Sequence, residues 1–314
     1  MIGDSLDDTI IDSPIREIEV AVRSVIAPRL GMRAENQDNY LVIDADGSAA
    51  YLRDESPVRG RISGWPTGHR RFAVLDGVGG HDHGRMAAER TVEGLLDIPA
   101  VRDLRALSEQ LEALHDRLHA EFAGIGGNAG CTLTLVEIPE KGPAMLFHTG
   151  DSRLYRIDAN TAVCLTVDHV PATQWAMSGE IDSPAWQRHV HERRSSAISQ
   201  AFILGHVFLR SERSGPSPKL LELNDSNLPA FLQGKGDRRY LDLTPGVMYL
   251  LASDGLWHVP EPKAFSERWP ALVAEADGDM NTAVDTLLAA LTDLVARQQL
   301  ASGDNTTLLA FRAM

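Results

Sequence analysis

The sequence predicts a mixed α+β protein in which two β-sheets are covered by helices. Apolar runs typical of strands open and close the chain, and helical periodicity is concentrated in two blocks between them. An order of strands, two helices, more strands, a helix and a final strand is typical of α+β layer architectures. We find no internal repeat in the sequence.

The chain is predicted to hold one domain, over 18–314, after a flexible leader over 1–17 that is rich in Asp and Ser. A length of 314 residues exceeds the usual size of a domain, but single units of this length occur. Two stretches are predicted to be insertions: 45–70, an irregular connection that mixes Gly, Pro and Arg, and 206–239, which has Ser, Pro, Asn and Gly clusters. Each is either an interaction surface or a tolerated surface loop.

The first half of the chain supplies three strands and two helices in this prediction. The strands lie at 18–26, 39–44 and 71–77, where apolar residues alternate or run together. The helices lie at 83–97 and 102–123. The second helix has an apolar stripe of the kind that packs on a sheet, formed by Leu104, Leu107, Leu111, Leu114, Leu118 and Phe122.

The second half begins with closely spaced strand-like runs that predict an antiparallel meander. These runs lie at 131–138, 144–150, 153–158 and 161–167. Residues 171–200 are polar and are predicted to be helical or irregular. The remaining predicted elements are a strand at 247–255, a helix at 280–300 and a strand at 306–311.

The composition is that of a globular protein with 43% apolar and 24% charged residues. Its net charge of −14, from 44 acidic and 30 basic residues, argues against a nucleic-acid partner, which needs a basic face. No window approaches the roughly 20 apolar residues of a membrane span, and the N-terminus lacks the features of a signal peptide. Cys131 and Cys164 lie in apolar runs and are predicted to be reduced thiols. We therefore expect a cytoplasmic protein without a membrane partner.

Aspartates at the edges of apolar strands are the main functional signal. One Asp-Gly pair is usually only a turn, but several acids in this position are hard to explain as turns. Carboxylates at the edge of a core are desolvated and repel one another, and Mg²⁺ or Mn²⁺ relieves both costs. Two such ions about 3.5–4 Å apart can clamp a phosphate and acidify a water molecule. The acids are Asp38, Asp76, Asp151, Asp254 and Asp304.

Other catalytic motifs are missing from the sequence. The histidines form no HExxH motif, and no Cys/His spacing is that of a zinc site. The Gly-rich run VGGHDHG lacks the Lys-Ser/Thr of a phosphate-binding P-loop. Neither cysteine is followed by an arginine at the spacing of the cysteine phosphatases.

Short motifs follow one another along almost the whole chain, from about 20 to 312. They are GMRAENQD (31–38), LDGVGGHDHG (75–84), GCT (130–132), HTGDSRLY (148–155), TVDH (166–169), GEI (179–181), AFILG (201–205), ASDGLW (252–257) and SGDNTTLLAF (302–311). In this order they resemble the motifs of the metal-dependent protein phosphatase family (the PPM, or type 2C, class), especially its bacterial members. The resemblance implies a four-layer αββα sandwich with a metal site at one end of the two sheets.

The resemblance also implies a set of metal ligands. Asp76 would bridge two ions, with the carbonyl group of Gly77 on the second ion. Asp254 and Asp304 would complete the shell of the first ion. Asp38 would lie beside the second ion and order the bridging water. Asp151, with Asp254, would match the acids that hold a weaker third ion, so the expected cofactors are two or three Mn²⁺ or Mg²⁺ ions.

Further roles come from the same resemblance. Arg33 would grip the substrate phosphate through its guanidinium group, the alternative being a surface salt bridge. Gly79 and Gly80 would let the backbone pass close to the metals. The residues expected to support the site rather than bind metal are Thr132, Asp168, Asn305 and His81.

Two positions depart from the family pattern. Val78 replaces a histidine that many members are thought to use to protonate the leaving oxygen, so another group must do this. Gln37 replaces a glutamate. The segment 170–200, with Arg188, Arg193 and Arg194, is expected to form a flap beside the site, and we hypothesise that it recognises acidic substrates.

The resulting prediction is a protein serine/threonine phosphatase in which water attacks phosphoserine or phosphothreonine directly, without a phospho-enzyme. Its partners would be phosphorylated proteins, and the resemblance implies that it opposes a bacterial Ser/Thr kinase. Two alternatives stay open at this point. One is a catalytically inactive protein of the same fold that acts as a binding module, and the other is a metal-dependent phosphoesterase that acts on a small molecule.

Overall fold

The computed structural model describes residues 17–26, 35–79, 83–124, 129–191, 196–198, 200, 202–205, 219–297 and 304–314. Residues 1–16 of the predicted leader lie outside these ranges. So do the positions of Arg33, Gly80, His81, Arg193 and Arg194.

The strands of the described ranges belong to two antiparallel sheets. In chain order they are β1 (Ile18–Val25), β2 (Asp38–Ile43), β3 (Ser48–Arg53), β4 (Ser56–Arg61), β5 (Arg70–Val78), β6 (Gly130–Cys131), β7 (Leu133–Ile138), β8 (Ala144–Thr149), β9 (Arg153–Ile157), β10 (Ala162–Cys164), β11 (Arg238–Leu241), β12 (Met248–Ala252) and β13 (Thr306–Ala313). Sheet 1 has the order β11-β8-β7-β5-β2-β3-β4, with β6 paired to the end of β5. Sheet 2 has the order β1-β13-β12-β9-β10.

Helices cover the outer faces of both sheets. They are α1 (Gly84–Asp97) and α2 (Leu104–Gly124) on sheet 1, and α5 (Pro262–Ser266), α6 (Trp269–Ala274) and α7 (Met280–Arg297) on sheet 2. Two further helices, α3 (Pro171–Met177) and α4 (Ser183–His189), pack on each other in a separate apolar cluster. None of the helices in the described ranges is long and apolar enough to cross a membrane.

Strand β5 shows how the layers form. Its side chains alternate between two apolar clusters, because successive residues of a strand point to opposite faces. Phe72 and Val74 lie in the cluster between the sheets, whereas Ala73 and Leu75 lie in the cluster under α1 and α2. Both faces of the strand are therefore buried, which explains its unbroken apolar sequence.

Sheet 2 repeats this arrangement on the other side of the molecule. Leu251 of β12 lies in the cluster between the sheets, and the neighbouring Leu250 lies in the outer cluster with Val284 and Leu287 of α7. The order of layers is helix, sheet, sheet, helix. The predicted αββα sandwich is confirmed.

The prediction that 45–70 is irregular is wrong, because this stretch contains the β3–β4 hairpin. Its two turn residues, Asp54 and Glu55, have φ angles of 47° and 61°, as a tight hairpin turn requires. Side chains of α1 hold the turn: Glu89 Oε1 accepts from the Asp54 amide at 2.8 Å, and Arg85 donates to Asp54 Oδ1 at 2.8 Å. The hairpin extends sheet 1 beyond β2.

The predicted meander is also wrong in its pairing. Strands β7 and β8 pair in sheet 1, but β9 and β10 pair in sheet 2. The chain crosses between the sheets at 150–152, which places Asp151 at the crossing. Besides β3 and β4, three further elements of the described ranges were not predicted, namely β11, which starts within the expected insertion 206–239, and helices α5 and α6. Cys131 and Cys164 are free thiols, as expected.

The buried side chain of Arg71 joins β5 both to Glu137 of β7 and to the end of α1. Arg71 and Glu137 are both fully buried, and Arg71 Nε donates to Glu137 Oε2 at 2.6 Å. Arg71 also donates to the carbonyl groups of Leu95 and Ile98 at 2.7 and 2.8 Å, where the helix ends. Both ions thus have charged or polar partners, as buried charges require.

Candidate metal centre

Asp38 and Asp76 stand opposite each other at one end of sheet 1. Asp38 begins β2, Asp76 lies near the end of β5, and the two are directly paired in the ladder. Thr132 holds the Asp76 backbone on the other side: the Asp76 amide donates to Thr132 Oγ1 at 2.9 Å, and the Thr132 amide donates to the Asp76 carbonyl at 2.9 Å. Thr132 Oγ1 is also hydrogen-bonded to Ser152 Oγ at 2.6 Å, beside Asp151.

Gly77 lets the start of helix α1 approach this strand end. A Cβ atom at Gly77 would lie 1.9 Å from the carbonyl oxygen of Gly84, a distance that no side chain tolerates. The Gly77 amide donates to the Gln37 carbonyl at 3.1 Å. Glycine at this position is therefore required by close packing of backbone on backbone.

Asp254 comes from sheet 2, in the turn that follows β12. Its neighbour Ser253 reaches across to sheet 1, where Ser253 Oγ donates to Asp38 Oδ2 at 2.6 Å. The same hydroxyl accepts from the Thr307 amide of β13 at 2.9 Å. Asp254 Oδ2 lies 2.9 Å from Nδ1 of His258, one turn further on. Burial alone would lower the pKa of His258, but the charges of Asp254 and Asp151 outweigh it and raise this pKa to about 9.

Asp304 precedes β13, next to Asp254. The Asn305 side chain donates to the Glu35 carbonyl at 3.1 Å, just before Asp38 in the chain, and the Asn305 amide donates to Asp304 Oδ1 at 2.9 Å. A Cβ atom at Gly255 would lie 2.2 Å from the Asn305 carbonyl oxygen, so the two turns pack closely. These contacts tie the turn before β13 to the segment before β2, and the supporting role expected of Asn305 stays a prediction.

Asp151 lies at the crossing between the sheets. The side-chain amide of Gln200 contacts it: Gln200 Nε2 is 2.9 Å from Asp151 Oδ1 and 3.0 Å from Asp76 Oδ2. Gln200 therefore bridges an acid of sheet 1 and the acid at the crossing.

The pKa shifts of the aspartates indicate that all five carboxylates lie close together. Burial raises the pKa of Asp38 to about 7, and repulsion by Asp254 and Asp304 adds to it. Burial and repulsion by Asp254 likewise raise the pKa of Asp151 to about 7. The pKa of Asp76 is raised well above its ordinary value, first by burial and then by the charges of the other four acids. Such mutual repulsion arises only between near neighbours.

In the part of the chain that the structure describes, no three His, Cys, Asp or Glu side chains form a ready-made ligand set for a metal ion. Instead, the Gln200 amide lies between two of the carboxylates. The chemistry of the donors nevertheless fits hard divalent cations, which take carboxylate and carbonyl oxygens. Divalent cations would also remove the repulsion that raises these pKa values.

Asp168 forms an ion pair with Arg153, and its charge also helps to raise the pKa of Asp151. The guanidinium donates to both carboxylate oxygens of Asp168, at 2.9 and 2.7 Å, and to the Val190 carbonyl at 3.1 Å. It also lies 4.4 Å from the ring centre of Trp257. This pair thus links the segment after α4 to the turn that carries Asp254. Arg188 is exposed on α4.

The structure brings together the five aspartates that the sequence singled out. Thr132 and Asn305 contact them or their turns, Gly79 ends the described part of the loop after β5, and Arg33 and Gly80 lie outside the described residues. Sequence reasoning missed Gln200, Ser253 and His258. Ser253 and His258 flank Asp254 closely enough to be suspected, but nothing in the sequence singles out Gln200.

No family model matches the chain, and no curated protein is significantly similar to it. Similar solved structures do exist. A serine/threonine phosphatase of S. agalactiae has a TM-score of 0.65 and 17% identity, and the match covers 95% of this chain and 100% of that chain. The PPM Ser-Thr phosphatase MsPP of Mycobacterium smegmatis, in complex with cacodylate, has a TM-score of 0.56, 22% identity and coverage of 94% and 98%.

A third similar structure is the catalytic domain of the serine/threonine phosphatase PstP, in complex with two manganese ions. Its TM-score is 0.56 and its identity 20%, with coverage of 94% of this chain and 97% of that chain. Identities this low show a shared fold. The chain has the fold of the bacterial PPM serine/threonine phosphatases over almost its whole length.

Proposed function

We propose that the chain is a metal-dependent protein serine/threonine phosphatase that hydrolyses phosphoserine and phosphothreonine by direct attack of water. The observation that carries this proposal is the convergence of five buried or half-buried aspartates from both sheets on one place. Buried carboxylates that lie close together destabilise the folded protein by repelling one another. Such groups are typical of functional sites, and a reaction that needs divalent cations explains why they are kept together here. The fold supports the same conclusion.

We assign the proposed ligands as the resemblance to the phosphatase family implies. Asp76, Asp254 and Asp304 would hold one divalent cation, and Asp76, the Gly77 carbonyl and Asp38 would face a second. Asp151 and Asp254 would hold a weaker third. Mn²⁺ or Mg²⁺ would supply charge for the phosphate oxygens and make water more acidic.

The protein's own residues have the tasks of holding and orienting. The hydroxyl of Ser253 donates to Asp38 and lowers its pKa against the effect of burial, so Asp38 is better able to stay ionised and orient a water molecule. Thr132 fixes the Asp76 backbone, and His258 holds Asp254. Arg33 is proposed to bind the substrate phosphate with its guanidinium group.

The substrates in this proposal are phosphorylated proteins in the cytoplasm, among them targets of a Ser/Thr kinase. Arg188, Arg193 and Arg194 are proposed to favour acidic sequences. Replacing them with alanine should change the preference among phosphopeptides and leave turnover of a small aryl phosphate unchanged. Equal loss on both substrates would contradict this role.

The direct test is phosphate release from phosphoserine and phosphothreonine peptides with Mn²⁺, with Mg²⁺ and with a chelator. We expect cation-dependent release that Asp254→Asn reduces at least about a hundredfold. Asp293→Asn, on the exposed face of α7, is the matched control and should be as active as the wild type. Activity that survives chelation would overturn the proposal. Turnover of small phosphomonoesters without turnover of peptides would indicate a small-molecule phosphoesterase, and no turnover at all would indicate a binding module.

A further inference from the structure

The side chain of Gln200 lies where two acids of the site face each other. Its Nε2 atom is within hydrogen-bond distance of both Asp76 Oδ2, at 3.0 Å, and Asp151 Oδ1, at 2.9 Å. Both partners are carboxylate oxygens, which accept hydrogen bonds, so the amide NH₂ group rather than the amide oxygen faces them. One neutral group thus donates hydrogen bonds to two acids that are 75 residues apart in the sequence.

Described residues before and after Gln200 are anchored to the rest of the fold. On the C-terminal side, Leu204 forms a two-hydrogen-bond bridge with Cys131, and the Phe202 carbonyl accepts from Thr149 Oγ1 at 3.1 Å. On the N-terminal side, a short helical turn at Ser196–Ile198 buries Ala197 against the cluster of Val170 and its neighbours.

An amide offers the acids only partial compensation. Its two N–H groups carry partial positive charge, and each can donate to one carboxylate. The amide thus attracts both carboxylates, as a cation between them would. The amide has no net charge, however, so the repulsion among the acids remains. This arrangement is therefore suited to a state without cations and incompatible with a cation in the same place.

We propose that Gln200 is a neutral placeholder for a divalent cation: its NH₂ group separates and positions Asp76 and Asp151 in the cation-free protein, and cation binding displaces it. This inference rests on the metal site of the proposed function and adds a residue to it. A substitution of residue 200 that raises the stability of the cation-free protein should therefore weaken cation binding, and one that lowers this stability should tighten cation binding. Gln200 is a positioning residue, since it acts through the two acids.

Three substitutions separate this role from simple packing. Gln200→Lys places a permanent positive charge between the acids, which should raise the melting temperature in chelator and weaken Mn²⁺ binding at least about tenfold. Gln200→Glu adds a further acid, which should lower the melting temperature in chelator and tighten Mn²⁺ binding. Gln200→Ala removes the placeholder and should act in the same direction as Gln200→Glu, with tightening of about three- to tenfold.

The measurements are thermal unfolding in chelator and calorimetric titration with MnCl₂, neither of which needs enzymatic activity. Gln110→Lys and Gln110→Glu, on an exposed position of α2, are matched charge controls and should leave both readouts unchanged. Opposite shifts of Gln200→Lys and Gln200→Glu in both readouts would support the placeholder role.

Two outcomes would overturn the inference. One is that all three Gln200 variants lower the melting temperature without changing Mn²⁺ affinity, as a packing role would give. The other is that the wild type binds no Mn²⁺. A protein that binds Mn²⁺ with the expected opposite shifts but releases no phosphate from peptides would leave the inference intact and refute only the phosphatase proposal.

Discussion

Ser253 Oγ donates a hydrogen bond of 2.6 Å to Asp38 Oδ2, and this bond joins sheet 2 to sheet 1 at the candidate metal centre. Ser253 directly follows β12 and precedes Asp254, whereas Asp38 begins β2. The same hydroxyl accepts from the Thr307 amide. One buried side chain therefore sets the distance between acids of the two sheets.

Ser253→Ala should destabilise the protein by about 1–3 kcal/mol, because it leaves the buried Thr307 amide and Asp38 without this partner. We also expect weaker Mn²⁺ binding, since Asp38 loses the bond that favours its ionised form. Urea unfolding and calorimetric titration measure the two effects. Ser266→Ala is the control, because the Ser266 hydroxyl is exposed and bonds only locally to the Lys263 carbonyl. Equal stability of the two variants would contradict the joining role of Ser253.

Stability without cations should fall as pH rises from about 4 to about 7. The pKa values of Asp38 and Asp151 are raised to about 7 in the folded protein, from an ordinary value of 3.8. In this range the folded state holds protons that the unfolded chain has lost, so each group lowers the free energy of unfolding by up to about 1.4 kcal/mol per pH unit. Urea unfolding in chelator at a series of pH values measures this slope.

Asp151→Asn measures how much the Asp151 carboxyl group contributes to this change of the free energy of unfolding with pH. The variant should gain stability relative to the wild type as pH rises through this range, and saturating Mn²⁺ should remove its advantage at pH 8. The opposite result would be a wild type that is more stable in chelator at pH 7 than at pH 5, with the same difference in Asp151→Asn. It would show that the raised pKa of Asp151 does not affect stability.

Gly77→Ala should prevent normal folding or lower stability severely. The added Cβ atom would lie 1.9 Å from the Gly84 carbonyl oxygen, and backbone atoms cannot move aside as a flexible side chain can. Gly60→Ala is the control, because nothing lies within 4 Å of a Cβ atom there. Soluble yield and melting temperature report the result, and similar values for both variants would refute the tight packing of α1 on β5.

Arg71→Met should cost about 3–5 kcal/mol, because it takes the guanidinium away from the fully buried Glu137 and leaves that carboxylate with only His69 and the Val101 amide. Arg105→Met breaks an exposed pair with Glu109 and should change stability by less than about 1 kcal/mol. Denaturant unfolding compares the two. A small effect at both positions would mean that Arg71 does not stabilise the contact of β5 with β7 and with the end of α1.

Strands and their flanking acids could be predicted from the sequence where the local apolar pattern matches the burial of those residues in the fold. Strand β5 has the sequence of a buried strand because both its faces are covered, and Asp76 is conspicuous because it interrupts the apolar run near the end of that strand. The same reasoning located Asp38, Asp254 and Asp304. Acids at the edge of a core are visible in a sequence because they interrupt an apolar run.

The remaining features depend on contacts between distant segments. The β3–β4 hairpin was missed because β4 is largely exposed, and because the turn residues Asp54 and Glu55 adopt positive φ angles with help from α1. The pairing of β9 with β12 could not be read from its apolar pattern, which is the same in either sheet. Gln200 was missed because a glutamine has no local signature, and its role exists only beside Asp76 and Asp151.

The central claim is that acids from both sheets share divalent cations. An anomalous-difference map from crystals grown with MnCl₂ tests it most directly. The account predicts at least two strong peaks, one bounded by Asp76, Asp254 and Asp304, with the Gln200 amide moved away from Asp76. Peaks bound only elsewhere, or no peak among these aspartates at saturating Mn²⁺, would contradict it.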